Sequence, residues 1–417
     1  MSTSWQLVLG YLRHRPLAAV LSIGLLAVGI GLLSLVLLLD RQLSRQFERN
    51  LAGIDMVIGA KGSPLQLVTS SVYHADAPTG NIPIAEVKPF GRPGHPLIEL
   101  AVPLALGDSY RGVRIVGTSP SFYELYEVAA IEGKRELGAQ RIVAGATAAR
   151  RLGLKLGDTF QSVHGLDDNE DLAHADAPPM QVTGILAPTG LVVDGLLLTS
   201  LETVWTTHEH GGSEPHDDHA GHDHAPGDID AHPWFNETGR DITALLTRFS
   251  GRNTATLNFA RNLNENTNLM AATPAVVMAQ FGANVSSAED LLRAIAGIMV
   301  FSSLLSLLVI LLNALRERAS DLSLLRSLGA SPGFVFRLVL FESMLLGILG
   351  TLAGLLLGRL VLVLVAREAS SKYPVGVVDY SLLPTEVYVL LGAVAACLLA
   401  ALYPAWRAYR IDPALQV

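Results

Sequence analysis

LAAVLSIGLLAVGIGLLSLVLLL, residues Leu17–Leu39, contains no charged side chain. About 20 helical residues, rising roughly 1.5 Å each, cross about 30 Å of hydrocarbon, so this run can span a bilayer. Three further runs have the same character: Ala294–Leu315, Leu338–Val365 and Val387–Leu402. Half of the 417 residues are hydrophobic and only 16% are charged, a balance that excludes an ordinary soluble protein. The expected spans are 17–39, 291–315, 338–365 and 387–403. The first reads as an uncleaved span rather than a signal peptide. It exceeds the roughly 7–15 apolar residues of a signal core, and no small-x-small site precedes Asp40.

Basic residues in short flanking segments set orientation. Arg13 and Arg15 precede span one; Arg316, Arg318, Arg326 and Arg337 lie between spans two and three; Arg407 and Arg410 follow span four. Residues 1–16, 316–337 and 404–417 are therefore expected in the cytoplasm, and 40–290 and the short link 366–386 outside it. Segment 40–290 holds 31 of the 38 acidic residues and every histidine except His14, so the outer domain is acidic and long enough to bury its own core. Short β-like runs (Gly112–Gly117, Ile142–Ala144, Gln181–Leu186) separated by Gly, Pro and Asp, with a helical stretch at Ala144–Leu152, predict an α+β domain. The fold class expected is thus a membrane α-helical protein with four transmembrane helices and an α+β domain inserted between spans one and two. Span one is expected to extend outward through Arg41–Leu51, and Ala288–Arg293 to lead into span two. The one cysteine, Cys397, lies inside span four, so no disulfide forms within the chain.

Segment 316–337 has room for one short helix at the membrane surface. Leu322, Leu325 and Leu328 fall on one helical face with Arg318, Asp321 and Arg326 around it; Gly329 suits a helix end and Ser331-Pro332 the start of the next helix. Such an element can fill a groove on a soluble partner. The same pattern also serves a plain turn whose leucines rest on lipid or on other spans.

The run from Arg318 to Ser331 (RASDLSLLRSLGAS), then Glu342 and the glycines Gly347, Gly350, Gly354 and Gly358, resembles the signature of the FtsX-like, MacB-type family of ABC transporter permeases. The closing stretch Tyr403–Ala414 (YPAWRAYRIDPA) is similar to that family's usual ending, and the order of one span, a large outer domain and three spans matches. Within the outer domain, Ile142–Ala146, Leu152–Asp158 and Val182–Leu186 are similar to pieces of MacB-type periplasmic domains.

The resemblance implies a permease subunit of the bacterial inner membrane that pairs with a second copy, sits beside a separate ABC ATPase and transmits ATP-driven motion to a periplasmic domain. It implies that Arg318, Asp321, Leu322, Leu325, Arg326, Leu328 and Gly329 form the ATPase-coupling surface. The chain has no G-x-x-x-x-G-K-[ST] loop, so it is expected to be no enzyme itself, with ATP held and hydrolysed by the partner. No catalytic residue, no cofactor within the chain's fixed structure and no nucleic-acid partner is expected; membrane lipid and a periplasmic or lipoprotein partner are. Gly350, Gly354 and Gly358 give span three a small-residue face suited to close helix packing, or alternatively a stripe facing lipid. Glu342 and Arg359, the ionisable residues of that span, are expected near its ends, where they reach water or headgroups.

Segment 207–234 lacks hydrophobic periodicity and is expected to be a loop. It carries His208, His210, His216, His219, His222, His224 and His232 among carboxylates, a donor set suited to Zn²⁺, Ni²⁺ or Cu²⁺. The spacing is not that of a rigid site, so the expectation is weak multiple binding of a zinc-like ion; a purely solvated insertion fits the same composition. Three functions within reach of the family remain open: a transporter linked to metal ions, a lipoprotein-release permease of the LolC/LolE kind, and an FtsX-like activator of a periplasmic enzyme.

Overall fold

The computed structural model describes residues 16–164, 179–211, 234–237, 239–317, 319–372 and 384–410. In chain order these form α1 (Pro16–Asn50), β1 (Met56–Ala60), α2 (Pro64–Ser71), β2 (Ile82–Pro83), α3 (Ile84–Gly91), β3 (Ile98–Tyr110), β4 (Val113–Thr118), α4 (Ser121–Leu125) and β5 (Ala130–Gly133). Next come β6 (Arg141–Ala144), α5 (Ala146–Leu152), β7 (Thr159–Phe160), β8 (Val163–His164), β9 (Met180–Leu186), β10 (Leu197–Ser200) and α6 (Leu201–Gly211). The remainder comprises β11 (Asp241–Ile242), β12 (Ala244–Phe249), α7 (Thr254–Asn266), β13 (Leu269–Ala272), α8 (Pro274–Glu317), α9 (Ala319–Ser327), α10 (Pro332–Lys372) and α11 (Pro384–Tyr409).

The chain divides into two units. One, Met1–Leu43, Val285–Glu368 and Val378–Val417, is helical; the other, Ser44–Asn284 with Ala369–Val377, is built on a sheet.

In the helical unit, four helices carry segments long and apolar enough to cross a membrane: Ala19–Asn50, Asp290–Glu317, Pro332–Glu368 and Pro384–Tyr409. Proline opens α8, α10 and α11, a position where its missing N–H costs no helical hydrogen bond. Leu26, Ile30, Leu307, Leu311, Leu346, Cys397 and Ala401 form one buried cluster between the helices. A second, Leu315, Leu322, Val335, Leu338, Val339, Ala405 and Ala408, lies at the end that carries α9. Buried hydroxyls of Ser303 and Ser343 bond across helices, Ser303 Oγ donating to Leu25 O at 2.9 Å and Ser343 Oγ to Cys397 O at 2.8 Å, whereas the buried Ser34 Oγ has no partner among the described residues.

The sheet unit is mixed α and β. Its strands follow the order β13-β1-β12-β3-β4-β10-β6-β9-β5, with β7 on β9 and β8 on β3, while β2 and β11 form a separate pair. Pairs β4–β10 and β6–β9 are parallel and the others antiparallel. Strand β3 turns the sheet. Its residues Ile98–Leu104 pair with β12 and Ala105–Tyr110 with β4, so the β13-β1-β12 arm and the β4-β10-β6-β9-β5 arm meet along this one strand. A core that includes Val57, Leu104, Phe122, Val143, Val193 and Leu246 draws on both arms.

Several sequence expectations move. Span one does extend past Asp40, but as a single helix to Asn50 rather than through Leu51, and Pro274 starts the helix of span two well before Ala288. Ala144 ends β6, and the helix after it begins at Ala146. Thr207–Gly211, expected to open a loop, instead continue α6, where Thr206 and Thr207 donate their hydroxyls to Thr203 O at 3.1 and 2.7 Å; residues 212–233 of the expected loop lie outside the described residues. At the segment's other end Trp234–Asn236 form a 3-10 turn, with Trp234 packed against the buried cluster that includes Ile84 and Val87. Hydropathy located the apolar runs, but these polar extensions stay helical or ordered through docking, which hydropathy does not record.

Candidate functional site

The link between α8 and α10 is the first element of interest. Helix α9 ends at Ser327, where Leu328 N–H donates to Leu324 O and Gly329 N–H to Arg326 O at 3.0 and 3.1 Å. Gly329 adopts φ +98°, a left-handed conformation suited to glycine at a helix end. Leu322 is 2% exposed and packs with Leu315, Val335, Leu338 and Val339, whereas Leu328 is 84% exposed. The shared face expected of these leucines therefore splits: Leu322 belongs to the core of the helical unit, while Leu324 and Leu328 face outward. Arg326 is half-buried. Arg318 lies outside the described residues, and so do the side chains of Asp321 and Leu325. Leu322 also lines a small cavity with Leu311, Ala314, Leu338, Val339 and the buried Glu342.

The glycines of span three lie along α1. A Cβ at Gly350 would stand 2.6 Å from Leu26 Cδ2. One at Gly354 would stand 2.9 Å from both Ala27 O and Ile30 Cβ, and one at Gly358 2.8 Å from Gly31 O. Small residues let backbones approach this closely, and in lipid such packing supplies much of the association. Gly29 answers on the other side of α1, where a Cβ would lie 3.1 Å from Val300 N in α8. Helix α1 is thus held between α8 and α10.

Among the described residues, ion pairs not anticipated from the sequence join the helices. Arg359 grips Glu386 through two hydrogen bonds, Nε to Oε1 at 2.9 Å and Nη2 to Oε2 at 2.5 Å, and the Glu386 side chain is 7% exposed. Arg293 Nη2 meets Asp40 Oδ2 at 2.9 Å, pairing α8 with α1. Arg359, expected to reach water or headgroups, is also paired with the first turn of α11, and its side chain keeps 29% of its exposure. Charged side chains close to hydrocarbon are stabilised by a partner, and the bidentate guanidinium geometry is the strongest such arrangement.

The sheet unit contains one unusual polar cluster. His74 is buried, has a left-handed backbone (φ +51°), and neither ring nitrogen has a hydrogen-bond partner among the described residues. Burial, reinforced by the charge of Arg114, pushes its imidazole down to about 3. Arg114 is buried on β4 opposite Ser109 of β3, and Arg114 Nη1 and Ser109 Oγ likewise have no partner.

Of the seven candidate metal-binding histidines, His216, His219, His222, His224 and His232 lie outside the described residues. His208 and His210 fall in α6, their side chains undescribed. Among the described residues no group of three or more His, Cys, Asp or Glu is placed to hold a metal ion.

Comparison with known proteins bears on the whole arrangement. The family described as "FtsX-like permease C-terminal" matches residues 293–413, and that described as "MacB-like periplasmic core domain" matches residues 19–219. The chain is 35% identical over 114 residues to the lipoprotein-releasing system transmembrane protein LolC of Xylella fastidiosa, covering 24% of this chain and 27% of that protein. It is 31% identical over 118 residues to the lipoprotein-releasing system transmembrane protein LolE of Haemophilus influenzae, covering 25% of this chain and 28% of that protein. Each alignment therefore spans about a quarter of the relative's length. With four apolar helices of spanning length, a mixed sheet domain between the first and second, and both family matches, the chain belongs to the FtsX-like, MacB-type family of ABC transporter permeases and is a multi-pass protein of the inner membrane.

Proposed function

We propose that this chain is the transmembrane subunit of an ABC assembly, receiving motion from a separate ATPase at the α9 link and delivering it to the sheet unit on the opposite side of the membrane. The reading rests chiefly on the link: a short helix between two spans, anchored inward by Leu322 and presenting Leu324 and Leu328 outward. An exposed apolar ridge on an anchored helix is suited to a groove in a soluble partner. The close α1–α10 packing at Gly350, Gly354 and Gly358 supports a bundle that moves as stiff rods rather than one that opens a wide channel. Two copies of the chain per assembly, one for each ATPase, complete the proposal.

The test is reconstitution in nanodiscs with an ABC ATPase from the same organism. The account predicts ATP hydrolysis that depends on this chain, and a change in the sheet unit's environment on ATP binding, read by a fluorophore at Ala255→Cys. ATP hydrolysis indifferent to the chain, or a fluorophore unresponsive to nucleotide, would contradict it.

A second reading concerns cargo. The named relatives belong to lipoprotein-releasing systems, which favours a lipidated protein as the substrate. Stimulation of the ATPase by a purified triacylated lipoprotein, and not by its unacylated form, is the expected result; equal response to both removes this reading. An FtsX-like activator would respond instead to a periplasmic hydrolase. For the histidine-rich segment 207–234 we propose weak binding of Zn²⁺ or a similar ion that biases the sheet unit. Calorimetry on the full chain with Zn²⁺, before and after deletion of residues 212–233, tests this; unchanged heats after deletion would refute it.

A further inference from the structure

The last turn of α1 belongs to the sheet unit, and three of its polar side chains reach a single loop, the one joining β9 to β10. Gln46 Nε2 donates to Gly190 O at 2.9 Å, and to Asn50 Oδ1 at 3.2 Å. Arg49 Nη2 donates to Thr189 O at 3.2 Å, and Val192 N–H donates to Asn50 Oδ1 at 3.1 Å. Asn50 is buried, and its amide oxygen satisfies that N–H away from water.

The receiving loop is itself fixed from beneath. Asp194, also buried, accepts from Thr189 N–H at 2.9 Å, from Thr189 Oγ1 at 2.8 Å and from Gly190 N–H at 2.8 Å. A carboxylate taking three hydrogen bonds holds such a loop in one shape. Val192, Val193 and Leu196 then bury their side chains in the core.

This loop lies on the far arm of the sheet. The chain itself leaves α1 through Leu51–Asp55 and enters β1, on the near arm. Ala52 and Gly53 are both left-handed, with φ +47° and +76°, and turn the chain sharply into β1. On this side Phe47 docks the helix, its ring meeting Tyr73 edge-on at 5.4 Å and its carbonyl accepting from the Tyr73 hydroxyl at 3.3 Å, while Leu51 and Ala52 pack on the core. The contacts to Thr189–Val192 add a second attachment, on the other arm.

We propose that Gln46, Arg49 and Asn50 are positioning residues that lock the end of α1 to Thr189–Val192, so that a displacement of α1 moves both arms of the sheet together. The functional consequence rests on the mechanical reading proposed above; the lock does not.

The experiment uses the full chain in nanodiscs with nitroxide labels and pulsed electron resonance; Cys397 is fully buried and does not compete for label. Labels at Ser44→Cys and Arg151→Cys report the angle of the α1 end to the far arm, and labels at Arg151→Cys and Glu202→Cys report the far arm alone. Without nucleotide, the first pair should give one narrow distance distribution that at least doubles in width in Gln46→Ala/Asn50→Leu, while the second pair stays as it was. Asn50→Asp, which keeps the acceptor for Val192 N–H, should restore the narrow distribution on the Gln46→Ala background. An unchanged first pair in the double variant overturns the proposal, and so does broadening of both pairs, which would mean that the far arm has lost its fold. With the ATPase and ATP added, a shift of the first pair that survives undiminished in the double variant also overturns it. If instead the widths behave as stated but ATP moves nothing even in the unsubstituted chain, the mechanical reading fails and the lock stands.

Discussion

Replacing Gly354 by alanine adds one methyl group at a point of close approach between α1 and α10. The new Cβ would meet Ala27 O and Ile30 Cβ at 2.9 Å and Gly31 N at 3.1 Å, where nonbonded carbons prefer about 3.5–4.0 Å. Two of those three neighbours are backbone atoms of the facing helix and cannot rotate aside, so the helices must part by about 0.5–1 Å. Separation loosens the contacts at Gly350 and Gly358 too, since these lie on the same stripe. Overpacking of this kind costs about 1–3 kcal/mol. Gly392→Ala is the matched control: it adds the same methyl group in α11, where no atom lies within 4 Å, so it should be neutral or stabilising by up to about 1 kcal/mol through helix propensity. Between the variants the expected gap is about 2 kcal/mol, close to 30-fold in an unfolding equilibrium constant. Reversible unfolding of the purified chain in mixed micelles measures it. Equal stability of the two variants, or greater loss from Gly392→Ala, would refute the assignment of this stripe to the α1 interface.

Other expectations follow the same geometry. Glu386→Gln should cost up to about 3 kcal/mol by leaving the Arg359 guanidinium without its carboxylate, and Arg359→Met/Glu386→Leu should recover most of it; the same micelle assay checks both. His74 is neutral in the fold but takes up a proton near pH 6.5 when unfolded, so stability should be complete above 6.5 and fall as pH drops towards about 3. The slope should approach about 1.4 kcal/mol per pH unit and flatten in His74→Asn, measured by thermal unfolding of the sheet unit within the full chain from pH 4 to 8. Leu328→Asp should leave unfolding within about 0.5 kcal/mol of the parent yet lower ATPase stimulation at least tenfold. Leu322→Asp should instead cost several kcal/mol, because it buries a carboxylate among Val335, Leu338 and Val339.

The apolar runs and Gly329 show which features the sequence makes legible. Length and lack of charge in Leu17–Leu39 are local properties, and the physics of the bilayer acts on them directly. Likewise the positive φ of Gly329 is imposed by the helix end it closes, a local constraint visible in one residue type. Helix limits were less legible, since Arg41–Asn50 and Pro274–Asp290 remain helical beyond the hydrocarbon. Leu322 and Leu328 bound the expected apolar face about a third of a turn apart, and only tertiary packing reveals which of them is covered. Nor could Glu386 be matched to Arg359, or Asn50 to Val192, because such partners are chosen by the fold and not by spacing along the chain. The alternation of buried and exposed positions in β9 announced a strand without naming its neighbours, and the turn of the sheet at β3 went unseen for that reason.

The claim on which the mechanism depends is that the bilayer separates the α9 link from the sheet unit. Ser331→Cys at the link and Ala255→Cys on α7 are both exposed, and each can be challenged with a membrane-impermeant maleimide on intact spheroplasts and then on lysed membranes. The account predicts that Ala255→Cys reacts in intact spheroplasts while Ser331→Cys reacts only after lysis. Reaction of both from the same side would contradict it.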